Sequence, residues 1–444
     1  MMPLVPPPVS ACDYPPLPLL SDSLRSSFLS SLPGYFVSTH VLPAAYPRAP
    51  SSKWVPPPLH QTKAAHSARA EADFQRLVAL KEAQEQETLS IPPREEVLFS
   101  TVKCYRPTCQ RSSGRPVTLL LLHGIGLHKE SWEPFLSDLS RSLERGSSVS
   151  IDEIWSLEMV QHGDAGLINE HNQGEIFDAA DYGRDTANFL LNYLPDEFGQ
   201  EQCGVNLPRV SDKEAARRRE YGFRNRTLVC VGHSLGASCV VFPALEMPKL
   251  FSSLVLVESV SIPEYMPEGF GHRRAEALCI KRQCEWSSWE EAESSIRSSR
   301  YYRRWSQQAV DEYIEHALSP TTHGTVRLKM HPYQEAATLM ERRIQFETWE
   351  LMASIPPSVR LHWIMSADSA RTGGRKVAAE MVWRRSVNAS NVLLEGIDHM
   401  VPQEAPDVLA NLVVDFLQHE YGRPLLTARS VAGASIDAQQ SAKL

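Results

Sequence analysis

The chain has 444 residues, of which 42% are hydrophobic and 22% are charged, a composition typical of a globular protein with a large buried core. Its formal net charge is −8 and its basic residues are dispersed, so we expect no nucleic-acid partner. No stretch of eighteen apolar residues occurs, which predicts no transmembrane segment. The densest basic run, Arg217, Arg218 and Arg219, has acidic neighbours and is predicted to be solvated surface.

Cysteine spacing argues against metal and redox motifs. Of the eight cysteines, the close pairs are Cys104 with Cys109 and Cys279 with Cys284, and neither pair has the two-residue spacing of common zinc or redox sites. We therefore expect reduced thiols and no metal. The amino-terminal residues lack the basic flank and continuous apolar core of a signal peptide, which predicts a soluble protein that is not secreted.

In chain order, the first predicted segment is a proline-rich flexible arm at residues 1–34. Residues 117–122 form a continuous apolar run, which is typical of a strand buried on both faces of a parallel sheet. Similar runs follow at residues 151–157, 227–231 and 254–257, with room for a crossover helix between them. This alternation predicts an α/β fold with a mostly parallel sheet flanked by helices.

Residues 259–354 carry aromatic and charged residues at helical spacing without a strong strand, which predicts a helical lid insertion. The lid would divide a catalytic core into residues 35–258 and residues 355–422, and residues 423–444 would form a flexible tail. The aromatic side chains that would either line a pocket or pack within the lid are Trp286, Trp289, Tyr301, Tyr302, Trp305 and Tyr313.

Ser234 is the predicted nucleophile. It lies at the centre of the stretch GHSLG, between an apolar strand and a helix predicted at residues 237–245, which is the context of a nucleophile elbow. The alternative is a glycine-rich turn in which Ser234 only caps the helix.

His399 is the predicted general base, because it follows the last apolar strand and precedes the last helix. Two carboxylates end apolar strands between Ser234 and His399. Asp368 is favoured as the acid that orients the histidine, because it keeps the chain order serine, acid, histidine. Glu258 is the alternative acid, one strand earlier. Asp398 is predicted to be a turn residue, since it is adjacent to the histidine.

Acyl transfer also needs hydrogen-bond donors for a developing oxyanion, usually two backbone amides. The amide of Leu235 directly follows the nucleophile, and the amide of Ile125 follows the pair His123 and Gly124. We predict that the amides of Ile125 and Leu235 form the oxyanion hole.

These features resemble the α/β-hydrolase superfamily over roughly residues 36–420. Residues 123–126, 128–134 and 161–164, together with Asn169, are similar to those of fungal peroxisomal hydrolases related to the yeast peroxisomal lipase. This group includes hydrolases of AK- and AF-toxin biosynthesis. The resemblance implies the α/β-hydrolase fold and serine-dependent hydrolysis of an apolar ester or thioester, often in secondary metabolism. His162 and Asp164 would either contact substrate or form a structural turn.

The predicted function is therefore that of a serine hydrolase that forms an acyl-enzyme on an apolar small-molecule ester or thioester, without a cofactor. One alternative is a ligand-binding protein that keeps the fold but turns over little. Another is an epoxide hydrolase, although such enzymes use a carboxylate where this chain has Ser234.

The predicted location is the peroxisome. Residues Ala442, Lys443 and Leu444 differ from the Ser-Lys-Leu peroxisomal address only by one small residue for another. We expect them to form a targeting signal that binds a peroxisomal import receptor.

Overall fold

A mostly parallel eight-stranded sheet forms the centre of the computed structural model. The structure describes residues 32–45, 47, 51–57, 63–86, 97–108, 116–144, 149–195, 204–264, 272–367 and 369–422. The strands within these residues are β1 (Tyr35–Pro43), β2 (Phe99–Pro107), β3 (Pro116–Leu122), β4 (Ser150–Leu157), β5 (Thr227–His233), β6 (Ser253–Val257), β7 (Glu285–Trp286), β8 (Leu318–Pro320), β9 (Val326–Leu328), β10 (Arg360–Ser366) and β11 (Ala389–Leu394).

The lateral order of the sheet is β1, β2, β4, β3, β5, β6, β10 and β11. The strands from β4 to β11 in this order pair in parallel, whereas β1 and β2 pair antiparallel at one edge. His233 of β5 lies opposite Val257 of β6, and Val257 lies opposite Ile364 of β10. The carboxyl ends of these three strands therefore meet at one edge of the sheet, where α/β proteins place their functional loops.

Strand β3 shows why the apolar runs form central strands. Leu120 and Leu122 are buried in the core on one face of the sheet. Leu119 and Leu121 are buried in the core on the other face, as the two-residue period of a strand requires. A strand covered on both faces needs apolar residues at every position, and this is the pattern in the sequence.

Helices cover both faces of the sheet. The helices within the described residues are α1 (Lys63–Glu85), α2 (Glu133–Glu144), α3 (Gly163–Ile168), α4 (Ala180–Asn188), α5 (Asp212–Tyr221), α6 (Leu235–Cys239), α7 (Val241–Glu246), α8 (His272–Ile280), α9 (Trp289–Ser298), α10 (Gln307–Ala317), α11 (Pro332–Leu339), α12 (Arg343–Met352), α13 (Gly374–Trp383), α14 (Val401–Glu404) and α15 (Pro406–Tyr421). Helices α2 and α15 pack on the face that carries Leu119, and residues of α4, α7 and α13 pack on the opposite face. The predicted α/β architecture is confirmed.

The segment predicted as a lid, residues 259–354, holds α8 to α12 and a small antiparallel sheet in the order β7, β9, β8. Trp286, Trp305 and Tyr313 are buried in a separate core of this segment. Within the described residues, no helix is both long and apolar enough to cross a membrane. The predicted arm is described only for residues 32–34, and the predicted tail, including Ala442, Lys443 and Leu444, lies outside the described residues.

Candidate active site

Ser234 occupies a tight turn between β5 and α6. Its φ of 54° is a left-handed conformation that residues with a side chain rarely adopt. The turn needs glycine on both sides. A Cβ on Gly232 would lie 2.7 Å from the backbone of Ala237, and a Cβ on Gly236 would clash with the carbonyl oxygen of Leu122. The turn therefore holds Ser234 at the carboxyl edge of the sheet, as an elbow for a nucleophile does.

The structure brings His399 against Ser234. The Nε2 atom of His399 lies 2.9 Å from Oγ of Ser234. The Nδ1 atom of the same ring lies 3.1 Å from Oε2 of Glu258. A hydrogen on Nδ1 facing the carboxylate leaves Nε2 as the acceptor for the serine hydroxyl, which is the arrangement of a serine, histidine and acid triad. Asp398 accepts a hydrogen bond from the amide of His399 at 2.7 Å, which is the role of a turn residue.

Glu258 is fixed from both its backbone and its side chain. It directly follows β6, its φ is 49°, and its side chain is completely buried. Its amide donates to the carbonyl of Ile364 at 3.0 Å, and its Oε1 accepts from the amide of Ser366 at 2.6 Å. The structure thus pairs His399 with the alternative acid of the sequence analysis. The favoured acid, Asp368, lies outside the described residues.

The loop after β3 packs directly against the nucleophile turn. A Cβ on Gly124 would lie 3.1 Å from Cβ of Ser234, so the backbone approaches the serine as closely as a glycine allows. Ile125 lines the cavity beside Ser234, and Leu235 is buried at the start of α6. The structure therefore brings both predicted oxyanion-hole residues to the nucleophile turn.

Two buried histidines, His233 and His162, hold the surrounding loops. From the sequence, His233 has no predicted role, and His162 is predicted either to contact substrate or to form a structural turn. The Nε2 atom of His233 lies 2.9 Å from the carbonyl oxygen of His399 and donates to it. Burial, with a contribution from His399, lowers the pKa of His233 to about 3, so its ring stays neutral. The Nε2 atom of His162 accepts from the amide of Gly126 at 3.1 Å. Burial also lowers the pKa of His162 well below its usual value, which keeps Nε2 available as an acceptor.

Asp164 belongs to a buried charge network. Its Oδ2 lies 2.7 Å from Nζ of Lys129, which is completely buried, and its Oδ1 lies 2.7 Å from Nζ of Lys329. Lys129 also pairs with Glu130 at 3.0 Å and with Glu158 at 3.3 Å. These contacts give Asp164 a structural role, and they explain the charged stretch from residue 128 to residue 133 as part of the core.

One group of possible metal ligands occurs among the described residues. Donor atoms of Glu133, Glu312 and His316 lie within 4.8 Å of one another. Lys103 already neutralises this group, since its Nζ lies 2.7 Å from Oε1 of Glu133. Burial, reinforced by Glu133, raises the pKa of Glu312 to about 10. Because the ammonium of Lys103 already lies beside Glu133, where a cation would bind, we assign no ion to the group.

A cavity of about 420 Å³ lies beside Ser234. Ser234 and His399 line it, and most of the other lining residues come from residues 259–354. Of the six aromatic side chains considered from the sequence, Tyr301 and Tyr302 line this cavity. Apolar side chains cover much of the remaining wall, which suits an acyl chain. They are Ile125, Val260, Ala275, Leu278, Leu339 and Met400.

Comparison with known proteins identifies the family of this chain. The sequence profile of the alpha/beta hydrolase family matches residues 119–412. The type I acyl-CoA thioesterase mpaH of Penicillium brevicompactum is 27% identical over 212 residues, which are 47% of this chain and 41% of the relative. The abhydrolase domain-containing protein ACTT2-1 of Alternaria alternata is 22% identical over 223 residues, which are 44% of this chain and 84% of the relative. The chain thus covers less than half the length of the thioesterase.

Among solved structures, the peroxisomal alpha-beta-hydrolase Lpx1 of Saccharomyces cerevisiae is similar, with a TM-score of 0.62 and 19% sequence identity. The similarity covers 90% of this chain and 94% of that chain. At this level of identity the similarity shows the fold alone. With the family match, it confirms the predicted α/β-hydrolase fold and the predicted resemblance to fungal hydrolases.

Proposed function

Because the chain belongs to the alpha/beta hydrolase family, we propose that it is a serine hydrolase that cleaves an ester or thioester of an apolar acyl substrate. The observation that carries the proposal is the continuous hydrogen-bonded line from Ser234 through His399 to Glu258. A serine hydroxyl is a weak nucleophile at neutral pH, and a base held within hydrogen-bond reach activates it.

In the proposed reaction, Oγ of Ser234 attacks the acyl carbonyl carbon while its proton moves to Nε2 of His399. The tetrahedral intermediate collapses, the bond to the leaving oxygen or sulfur breaks, and His399 protonates the departing alcohol or thiol. Water then gives a proton to His399 and attacks the acyl-enzyme, which releases the carboxylic acid and restores the serine hydroxyl. The amides of Ile125 and Leu235 donate to the oxyanion that develops in both steps.

We assign the acid role to Glu258 in place of Asp368. Glu258 meets the ring nitrogen that Ser234 does not use, and a second hydrogen bond from the amide of Ser366 holds its carboxylate in this orientation. A buried carboxylate in this position stabilises the imidazolium that forms as the serine loses its proton.

The cavity and the relatives support an acyl thioester or ester as the substrate class. The apolar wall suits an acyl chain, and one relative is named as an acyl-CoA thioesterase. Another relative is an abhydrolase domain-containing protein of Alternaria alternata. Together with the resemblance to hydrolases of fungal toxin biosynthesis, this makes secondary metabolism the proposed setting. An epoxide hydrolase is disfavoured, because Ser234 occupies the elbow where those enzymes carry a carboxylate.

The test is hydrolysis of hexanoyl coenzyme A and p-nitrophenyl hexanoate by the purified full chain. We expect turnover that Ser234→Ala abolishes. Ser369→Ala is the matched control, because Ser369 is buried and its hydroxyl has no hydrogen-bond partner among the described residues. Turnover that survives in Ser234→Ala would refute the serine mechanism. Stable binding of acyl compounds without turnover by the unmodified chain would favour the ligand-binding alternative.

We also propose that the protein acts in peroxisomes. The support is the peroxisomal relative of similar fold and the resemblance of residues 442–444 to a peroxisomal address. A fluorescent protein fused before Met1 should co-localise with a peroxisomal marker, and deletion of residues 442–444 should leave it in the cytosol. Punctate import that is unchanged by the deletion would contradict the role of these residues.

A further inference from the structure

The cavity beside Ser234 contains charged side chains that an apolar acyl chain does not require. Arg282, Glu335 and Arg371 all line it. Two cations and one carboxylate leave a net charge of about +1 on the wall, whereas the whole chain carries −8. A local charge opposite to that of the protein, in a cavity with many apolar lining residues, attracts an anionic group on a ligand.

Arg282 is only partly satisfied by its neighbour. Its Nη2 atom is hydrogen bonded to Oε2 of Glu335, while its Nε is buried and has no hydrogen-bond partner among the described residues. About 30% of its side chain is exposed, compared with 12% for Glu335. A guanidinium has five N–H donors, so Arg282 retains donors for a second oxygen ligand after it pairs with Glu335.

Glu335 packs against the loop that follows β3. Its Oε1 lies close to Gly126, where an added Cβ would meet it at 3.0 Å. The ion pair of Arg282 and Glu335 therefore lies beside the loop that carries Ile125. A group bound by Arg282 would share the cavity with an acyl carbonyl bound at Ser234.

Arg371 supplies the second cation from the solvent side. It lies in a short 3-10 helix, Ala370–Thr372, and its side chain is exposed although it lines the cavity. Within the described part of the chain, Arg371 forms no ion pair and no side-chain hydrogen bond. Arg375, which is also exposed, pairs with Glu395 and does not line the cavity, so it offers a matched comparison.

Resting on the proposed function, we propose that this hydrolase selects acyl donors that carry an anionic group and that Arg282 and Arg371 bind this anion. A carboxylate at the far end of the acyl chain and a phosphate on the leaving group of a thioester share this chemistry. Both accept charge-assisted hydrogen bonds from guanidinium groups, and a neutral acyl chain of the same length does not.

Binding to Ser234→Ala protein tests the inference without requiring turnover. The matched probes are the mono-p-nitroanilide of adipic acid and the p-nitroanilide of hexanoic acid, which differ by a terminal carboxylate. Free coenzyme A is the probe for a phosphate on the leaving group. We expect the anionic anilide or coenzyme A to bind. Arg371→Gln should raise the Kd of whichever anionic probe binds by about tenfold at low salt, because charge-assisted hydrogen bonds contribute on this scale.

The same comparison in Arg375→Gln should leave the binding of the anionic probe unchanged. The double variant Arg282→Gln with Glu335→Gln keeps a hydrogen-bonding pair while it removes both charges. We expect it to weaken the binding of the anionic probe as well. Loss confined to the anilide assigns the anion to the acyl chain, and loss confined to coenzyme A assigns it to the leaving group. Equal binding of all probes to the arginine variants and their parent would overturn the inference, even if the enzyme still hydrolyses neutral esters through Ser234.

Discussion

The backbone conformation of Glu258 and the hydrogen bond to its carboxylate together fix the orientation of its buried side chain. Its positive φ turns the residue out of the strand direction, and the amide of Ser366 fixes one carboxylate oxygen so that the other meets His399. A carboxylate that is held in this way orients the imidazole and favours the tautomer with Nε2 free to accept a proton. The proposed base, His399, thus depends on Glu258, which follows β6, the strand next to β5 and its nucleophile turn.

We predict that Glu258→Gln lowers kcat for p-nitrophenyl hexanoate by about a hundredfold or more, because a neutral amide neither fixes the tautomer nor stabilises the imidazolium. Asp368→Asn, the matched loss of a carboxylate, should change kcat by less than about threefold. Steady-state kinetics on both variants show which substitution causes the larger loss in kcat. A larger loss in the Asp368 variant would return the acid role to Asp368.

His162 is a positioning residue in this account, because its Nε2 accepts from the amide of Gly126 next to Ile125. We predict that His162→Phe lowers kcat by about tenfold with little change in KM, because a misplaced oxyanion donor weakens only the transition state. His162→Gln, which keeps an acceptor, should restore part of the rate. Equal losses in the two variants, or a loss confined to KM, would contradict this role.

The proximity of Ser234 and His399 could be predicted from sequence because each is marked by its local context, a glycine-flanked turn after a strand and a loop before the last helix. The acid could not be chosen in the same way. Glu258 and Asp368 both follow apolar strands, and β6 and β10 are neighbours in the sheet, so chain order alone does not identify the partner of His399. His233 and His162 contact loops that are distant in sequence, so the sequence alone does not identify their hydrogen-bond partners.

At the scale of elements, the helix after the nucleophile shows how one residue divides a predicted helix. The sequence predicts a single helix over residues 237–245, whereas the structure has α6 and α7 with a break at Val240. Pro243 has no amide hydrogen and cannot bond the carbonyl of Cys239, four residues earlier. That carbonyl instead faces Gly183 of α4, where a Cβ would lie 2.5 Å from its oxygen.

Helix α5 corrects the predicted surface position of the basic run. Arg218 is completely buried, and its Nη1 donates to the carbonyls of Leu190 and Leu194 at 3.0 and 2.8 Å. Arg219, its neighbour, is exposed. The prediction was wrong for Arg218 because its partners are backbone carbonyls that terminate another helical segment, and no residue type in the sequence marks them.

We predict that Arg218→Met lowers the free energy of unfolding by about 2–4 kcal/mol, because it leaves buried carbonyls without donors. Arg219→Met should change the free energy by less than about 0.5 kcal/mol. Urea denaturation of both variants measures the difference. Equal stability of the two variants would show that the buried contacts of Arg218 contribute little.

In the whole molecule, the central strands could be predicted from their apolar runs, but strand β2 next to one edge could not. Strand β2 was missed because Lys103 interrupts its apolar pattern. The structure buries this lysine completely against Glu133. The sheet order likewise depends on packing between distant segments, which periodicity within a single strand does not report.

A buried carboxyl predicts how stability changes with pH. Burial raises the pKa of Asp185 to about 7, although its Oδ1 accepts from the amide of Ala45 at 2.7 Å. Between about pH 4 and 7 the folded state keeps a proton that the unfolded state has lost. The contribution of Asp185 to stability is therefore fully present below about pH 4 and is lost as the pH rises through 7.

We predict that Asp185→Asn, which keeps an acceptor for the amide of Ala45, removes this loss. Between pH 4 and 8 the wild-type protein should lose more stability than the variant, by at most about 4 kcal/mol, which is the free energy equivalent to the change in pKa. At pH 8 the variant should be the more stable of the two. Parallel stability curves for the two proteins across this range of pH would contradict the buried ionisation.

Labelling with a fluorophosphonate, followed by mass spectrometry of the intact chain and of its peptides, identifies the nucleophile without assuming a substrate. The probe phosphonylates a serine only when a base activates it. We expect one adduct per chain, located on Ser234, absent in Ser234→Ala and formed far more slowly in His399→Ala. An adduct on another residue, or undiminished labelling of Ser234→Ala, would contradict the assignment of Ser234 as the nucleophile.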